Sequence, residues 1–125
     1  MNISRLVIGC AMAVHKELGN GYLEVVYERA LEIELKSKGI RFERQVSLPV
    51  QYKGQPIGTF VADMVVAGGL IIELKASDSI TPRDTAQLIN YLKASKIPVG
   101  LLFNFGQQSL QTKRLVHQYN EDHHI

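Results

Sequence analysis

Apolar residues recur at helical spacing at the start of the chain, through Ile3, Leu6, Val7, Cys10, Ala13, Val14 and Leu18, and predict a helix over 4–18. Gly19-Asn20-Gly21 interrupts the pattern. A second helical pattern covers 22–38 and stops at Gly39, with Leu23, Val26, Tyr27, Ala30, Leu31 and Ile33 expected on its buried face. Residues 42–52 then read as a strand, Lys53-Gly54-Gln55-Pro56 as a turn, and 58–66 as a second strand. Gly68-Gly69 signals a hairpin into a third strand over 70–76. Thr81 is a good N-cap, followed by Pro82 at the first helical position and Asp84 in the first turn, so a third helix is expected to run to Ser95. The nearly continuous apolar run over 98–105 suits a buried strand. The segment 109–116 fits a last strand or a short helix equally well. The order is helix, helix, three strands, helix, strand, which implies one mixed sheet packed between helices.

Against that frame the informative positions are charged groups where the pattern wants apolar ones. Glu24 projects close to the direction of Leu31 on the second helix. Taken alone, it reads first as an acid favoured in the first turn by the helix dipole. Asp63 interrupts the strand Phe60-Val61-Ala62-Asp63-Met64-Val65. An unpaired buried aspartate costs several kcal/mol, so it needs a partner, and Lys75 would serve in a structural ion pair. Glu73 and Lys75 alternate with Ile72 and Leu74 and share one face of the third strand. An amphipathic edge strand with a solvated charged face has the same pattern. On the third helix, Leu88, Ile89 and Leu92 form an apolar face, while Gln87 and Tyr91 lie four apart beside Asn90 and Ala94 on a polar one open to solvent.

Register joins these residues. If Ala67-Gly68-Gly69 is a three-residue loop, Val66 pairs with Leu70 and Asp63 faces Glu73, with Cβ atoms about 5 Å apart. Facing carboxylates repel unless a cation lies between them. A strict two-residue Gly-Gly turn would shift the pairing and put the acids on opposite faces.

Composition narrows the chemistry only slightly. The 125 residues suit one domain spanning 1–125, and 46% hydrophobic with 21% charged residues is ordinary for a globular chain. A net charge of +2, from 14 basic against 12 acidic residues, permits a polyanionic partner without demanding one. Cys10 stands alone, so no intrachain disulfide forms, which fits a reducing, cytoplasmic setting. Leu6-Val7-Ile8-Gly9-Cys10 has the outline of a lipoprotein cleavage site. The apolar stretch before it is shorter than the ~7–15 residues of a signal core, and it reads as mature helix. No apolar run approaches the ~20 residues of a membrane span. His117, His123 and His124 are read as a solvated terminus rather than a metal site.

Taken together the residues resemble a known family. Gly21-Tyr22-Leu23-Glu24-Val25-Val26-Tyr27 matches the signature of the GxxExxY proteins. Those resemble a compact branch of the PD-(D/E)xK nuclease superfamily. Asp63 followed by Glu73-Leu74-Lys75 matches the superfamily's D…ExK core, and Gln87-Leu88-Ile89-Asn90-Tyr91 matches the QxxxY element of its exonuclease-like members. Ala62 stands where the superfamily's name implies a proline. The resemblance implies an α/β, restriction-endonuclease-like fold, a central mixed sheet flanked by helices. It also implies a Mg2+- or Mn2+-dependent nuclease acting on nucleic acid, expected to be DNA. Asp63, Glu73, the carbonyl of Leu74 and Glu24 (directly or through water) would be the metal ligands. Lys75 would stabilise the attacking hydroxide or phosphate, Gln87 would orient water, and Tyr91 would contact a phosphate. Lys53, Arg83, Lys93 and Lys113 would grip the nucleic acid, and Tyr22 and Tyr52 are candidates for base stacking. So small a core is expected to need a homodimer or a partner protein to hold a duplex. A catalytically silent binding module, and a purely structural ion-pair cluster, are the competing readings.

Overall fold

A computed structural model describes residues 2–117; His123 and His124 lie outside the described residues. Helix α1 spans Ile3–Leu18, with the Asn2 side chain accepting from the Arg5 amide at 3.2 Å to cap it. Val7, Cys10, Ala11 and Val14 form its buried stripe. The helix ends at Gly19, where φ of +67° requires a glycine-like conformation.

Helix α2, Glu24–Ser37, begins later than the spacing predicts, because residues 19–23 form a bent, non-helical link and Leu23 caps without a side-chain hydrogen bond. The expected buried face also needs correction. Leu23 and Ile33 are 75% and 66% exposed. Tyr27, Leu31 and Leu35 face the core instead, and Glu28 and Glu32 are buried beside them. Both acids pair with Arg44, whose Nε lies 3.5 Å from Glu28 and 2.9 Å from Glu32 and whose single charge they share. Hydrophobic periodicity could not anticipate this, because the compensating charge arrives from the following strand.

The sheet has the order β1-β2-β3-β4-β5, formed by β1 (Phe42–Tyr52), β2 (Gln55–Val66), β3 (Leu70–Lys75), β4 (Val99–Asn104) and β5 (Gln111–Val116). It is antiparallel except for β3 and β4, which run parallel. A parallel pair needs a crossover, and α3 (Pro82–Ser95) supplies it. The segment left undecided between strand and helix is β5, paired to β4 with Gly100 opposite Leu115. β2 starts before residue 58, because Lys53 and Gly54 alone make the turn, both at positive φ (49° and 77°). Helices α1 and α2 cover one face through Met64, Val66, Ile72, Leu74 and Phe103. Helix α3 covers the other, with Leu88, Tyr91 and Leu92 against Val65, Ile71 and Leu102.

One irregularity positions everything that follows. The β1–β2 register runs through Arg44↔Met64 and resumes at Val46↔Ala62, leaving Gln45 and Asp63 unbridged, with Gln45 at φ +49°. On the near side of this break Phe42, Met64 and Val66 pack toward α1 and α2. On the far side Val46, Leu48, Phe60 and Ala62 pack with α3. Residues of the same parity thus change face, so the hairpin twists sharply and its far half curls over α3. β2 parts from β3 at the same point, since their pairing ends at Met64↔Ile72.

Candidate active site

The β2–β3 hairpin turns through a three-residue loop, with Ala67 and Gly68 at φ +51° and +69° and Gly69 N–H donating to Val66 O at 3.0 Å. Val66 pairs with Leu70. Asp63 and Glu73 are therefore the next facing residues after the last bridge, on the register that a three-residue loop demands. There the two side chains take over from the ladder. The Asp63 amide donates to Glu73 Oε2 at 2.7 Å, and the Leu74 amide donates to Asp63 Oδ2 at 2.8 Å. Parting strands would otherwise strand these amides, and the carboxylates satisfy them.

The electrostatic consequence is strong. Glu73 is only 5% exposed. Burial, and then the charge of Asp63, push its carboxyl from 4.5 up to about 8, against the Asp63 amide and Lys75, which favour ionisation. Burial also raises Asp63, opposed by the Leu74 amide and reinforced by the charges of Glu28 and Glu24. Lys75 follows on the same face of β3, half-buried, with Nζ 3.9 Å from Asp84 Oδ1. Asp84 is itself fixed by the capping box of α3, accepting from the Thr81 amide at 3.0 Å while its own amide donates to Thr81 Oγ1 at 3.2 Å. Two hard-oxygen acids whose ionisation is opposed by burial and by each other suit a divalent cation, which would supply the missing positive charge.

Glu24 stands at the first helical position of α2, exposed, and its charge reaches both Asp63 and Glu73. It does not join them at ligand distance. Among the described residues no three Asp, Glu, His or Cys side chains form a group that could hold one ion. What places Glu24 is the rest of its own motif. Gly21 adopts φ +113°. The fully buried Tyr27 donates its hydroxyl to Gly19 O at 2.6 Å, accepts from the Tyr22 amide at 3.2 Å, and stacks on Phe105 at 4.5 Å. The link before Glu24 is thus tied down by the tyrosine one turn after it.

Gln87 and Tyr91 part company, contrary to the shared polar stripe expected of α3. Gln87 is exposed, whereas Tyr91 is buried with its ring 5.1 Å from that of Phe60. The curled hairpin covers Tyr91, a contact that no helical wheel contains. Its phenol is raised first by burial and then by the charges of Glu73 and Asp63. Tyr22 packs edge-on against Tyr27 at 6.0 Å, and Lys53 lies over Tyr52 at 5.5 Å on the hairpin tip. Arg83, Lys93 and Lys113 are exposed. Two neighbours of the site had no functional signal in the sequence. Asp84 reads only as a helix-capping acid, and Glu28 only as a residue one turn beyond Glu24.

A family model described as the PD-(D/E)XK nuclease superfamily matches residues 1–115. The crystal structure of a protein designated SSO0001 superposes with a TM-score of 0.59 at 21% identity, over 78% of this chain and 51% of that one. The chain therefore spans about half the length of that protein, and the likeness is one of fold. No curated protein matches the chain.

Proposed function

The chain belongs to the PD-(D/E)XK nuclease superfamily, and from that premise we propose that it hydrolyses phosphodiester bonds of nucleic acid, DNA first, with Mg2+ or Mn2+ held by Asp63 and Glu73. The observation that carries this reading is the reciprocal pair of hydrogen bonds from the Asp63 amide to Glu73 and from the Leu74 amide to Asp63. They hold two carboxylates together, at a cost to their ionisation, where β2 leaves β3. In a strand the N–H and C=O of one residue face the same neighbour. The Leu74 carbonyl therefore faces the gap between β2 and β3 and is the third ligand in this reading, with Glu24 acting through water. Gly21, Glu24 and Tyr27 support placing the chain in the GxxExxY branch. A bound divalent ion would supply Lewis acidity and charge neutralisation at the phosphate.

The chain's own groups supply the rest. Hydrolysis forms a bond from a water oxygen to phosphorus and breaks the bond to one ester oxygen; the water gives up a proton and the leaving oxygen gains one. Lys75, steadied by Asp84, offers its ammonium N–H groups to the incoming water or to a phosphate oxygen. Tyr91 closes the side of the pair toward α3, and exposed Gln87 orients water or substrate. A homodimer or partner chain would supply further grip, and the reducing cytoplasm suits unpaired Cys10.

The test is cleavage of single-stranded, duplex and supercoiled DNA, and of RNA, by the purified chain with either ion. Asp63→Asn, Glu73→Gln and Lys75→Ala are expected to abolish cleavage with unchanged circular dichroism. Absence of cleavage of every substrate would sink the proposal. A second reading, a silent binding module on the same fold, is favoured by the absence of a three-donor group among the described residues. Calorimetry showing no Mn2+ binding would establish it over the first.

A further inference from the structure

We propose that the groove between α3 and the far half of the β1–β2 hairpin takes a single, unpaired strand of nucleic acid, with bases against the hairpin and phosphates against α3. The inference rests on the nuclease reading of the carboxylate pair and names the form of its substrate.

The groove has a volume of about 690 Å3 and unlike walls. Pro49, Val50, Phe60 and the polar Gln51 make the hairpin side; Asn90 and Lys93 belong to α3. Among the described residues no acidic side chain lines it. The hairpin wall is therefore mainly apolar, and the α3 wall offers an amide and the Lys93 ammonium. An unpaired strand has the same division, with base faces that gain by leaving water on one side and phosphates on the other. A duplex hides its base faces and carries phosphates on both flanks, which would set charge against the apolar wall.

The groove also leads to the carboxylates. Phe60 is shared, lining the groove and stacking on Tyr91 at 5.1 Å. Asp63 follows Phe60 by three residues on β2, and the charges of Glu73 and Asp63 reach the Tyr91 phenol. The break at Gln45 and Asp63 creates both features, since it swings the hairpin over α3 and opens β2 from β3. A strand lying in the groove would run off its inner end toward the acids.

The test is fluorescence anisotropy with the full chain in EDTA, so that binding is read without hydrolysis. The probes are a labelled oligothymidylate, its duplex with oligoadenylate, and an abasic deoxyribose-phosphate strand of equal length. The oligothymidylate is expected to bind about tenfold tighter than either of the others. Lys93→Glu is expected to weaken it about fivefold or more, and to reduce the slope against log salt by about 0.7 or more. Lys16→Glu, the same charge change on the exposed side of α1, is expected to stay within about twofold, because it lies off the groove. Duplex or abasic strand binding as tightly, equal effects of the two substitutions, or no binding of any probe would overturn the proposal. Loss of the strand preference with hydrolysis intact removes the groove assignment alone. Strand preference without hydrolysis removes the nuclease reading and leaves the groove standing.

Discussion

The amide of Asp63 is bonded to the carboxylate of Glu73, and the carboxylate of Asp63 is bonded to the amide that follows Glu73. Each acid thus satisfies backbone belonging to the other's strand, and neither can move away without leaving a partly buried N–H unpaired. Their proximity is built into the separation of two strands, and the repulsion it brings is the most accessible property of the site.

Stability should therefore depend on pH in an unusual direction. Glu73 titrates near 8 in the folded chain and near 4.5 when unfolded. Between those values the folded chain keeps a proton the unfolded chain has lost, so rising pH favours unfolding. The contribution is complete below about pH 4.5 and gone above about pH 8. The Tm of the ion-free protein is expected to fall across this window, and Glu73→Gln, which cannot ionise, to flatten the fall and raise Tm at its alkaline end. An unchanged slope in the variant would show that another group is responsible.

Ion binding should release protons. Near neutral pH Glu73 is mostly protonated, and a ligating carboxylate must give that proton up. Mn2+ titrations in two buffers of different ionisation enthalpy are expected to give different apparent heats, corresponding to release of up to about one proton per ion, with affinity climbing until about pH 8. Buffer-independent heats would contradict the assignment of Glu73 as a ligand.

Lys75 should matter for chemistry and little for the fold. Its ion pair with Asp84 is long at 3.9 Å, and its side chain is 26% exposed. Such pairs contribute within about 1 kcal/mol. Lys75→Ala is expected to shift stability by no more than that in urea unfolding while eliminating cleavage. A loss of about 3 kcal/mol or more would instead mark a structural ion cluster.

Tyr27→Phe removes one hydroxyl that joins Gly19 O to the Tyr22 amide. A destabilisation of about 1–2 kcal/mol is expected from the lost hydrogen bonds. Because the freed link precedes Glu24, the metal concentration needed for half-maximal cleavage should rise more than the saturated rate falls. A fall in rate alone, with metal dependence unchanged, would separate Tyr27 from the placement of Glu24.

Much of this architecture is local, and local features are legible in a sequence. The alternation of Ile72, Glu73, Leu74 and Lys75, the Thr81-Pro82 start of α3 and the presence of a tight turn at Gly68-Gly69 each follow from backbone geometry within a few residues. They suffice to order the elements up to β4, whereas the length of the loop, and with it the facing of Asp63 and Glu73, is decided by the folded hairpin. What remained hidden depends on distant partners. Whether 111–116 forms a strand is decided by the free edge of β4. Glu28 and Glu32 are tolerated inside because Arg44 reaches them from β1. Tyr91 is buried because the hairpin breaks at Gln45 and folds over it. Periodicity reports which side of an element is apolar; only the packed sheet determines which charges find partners, and where a strand turns aside to leave a gap between two acids.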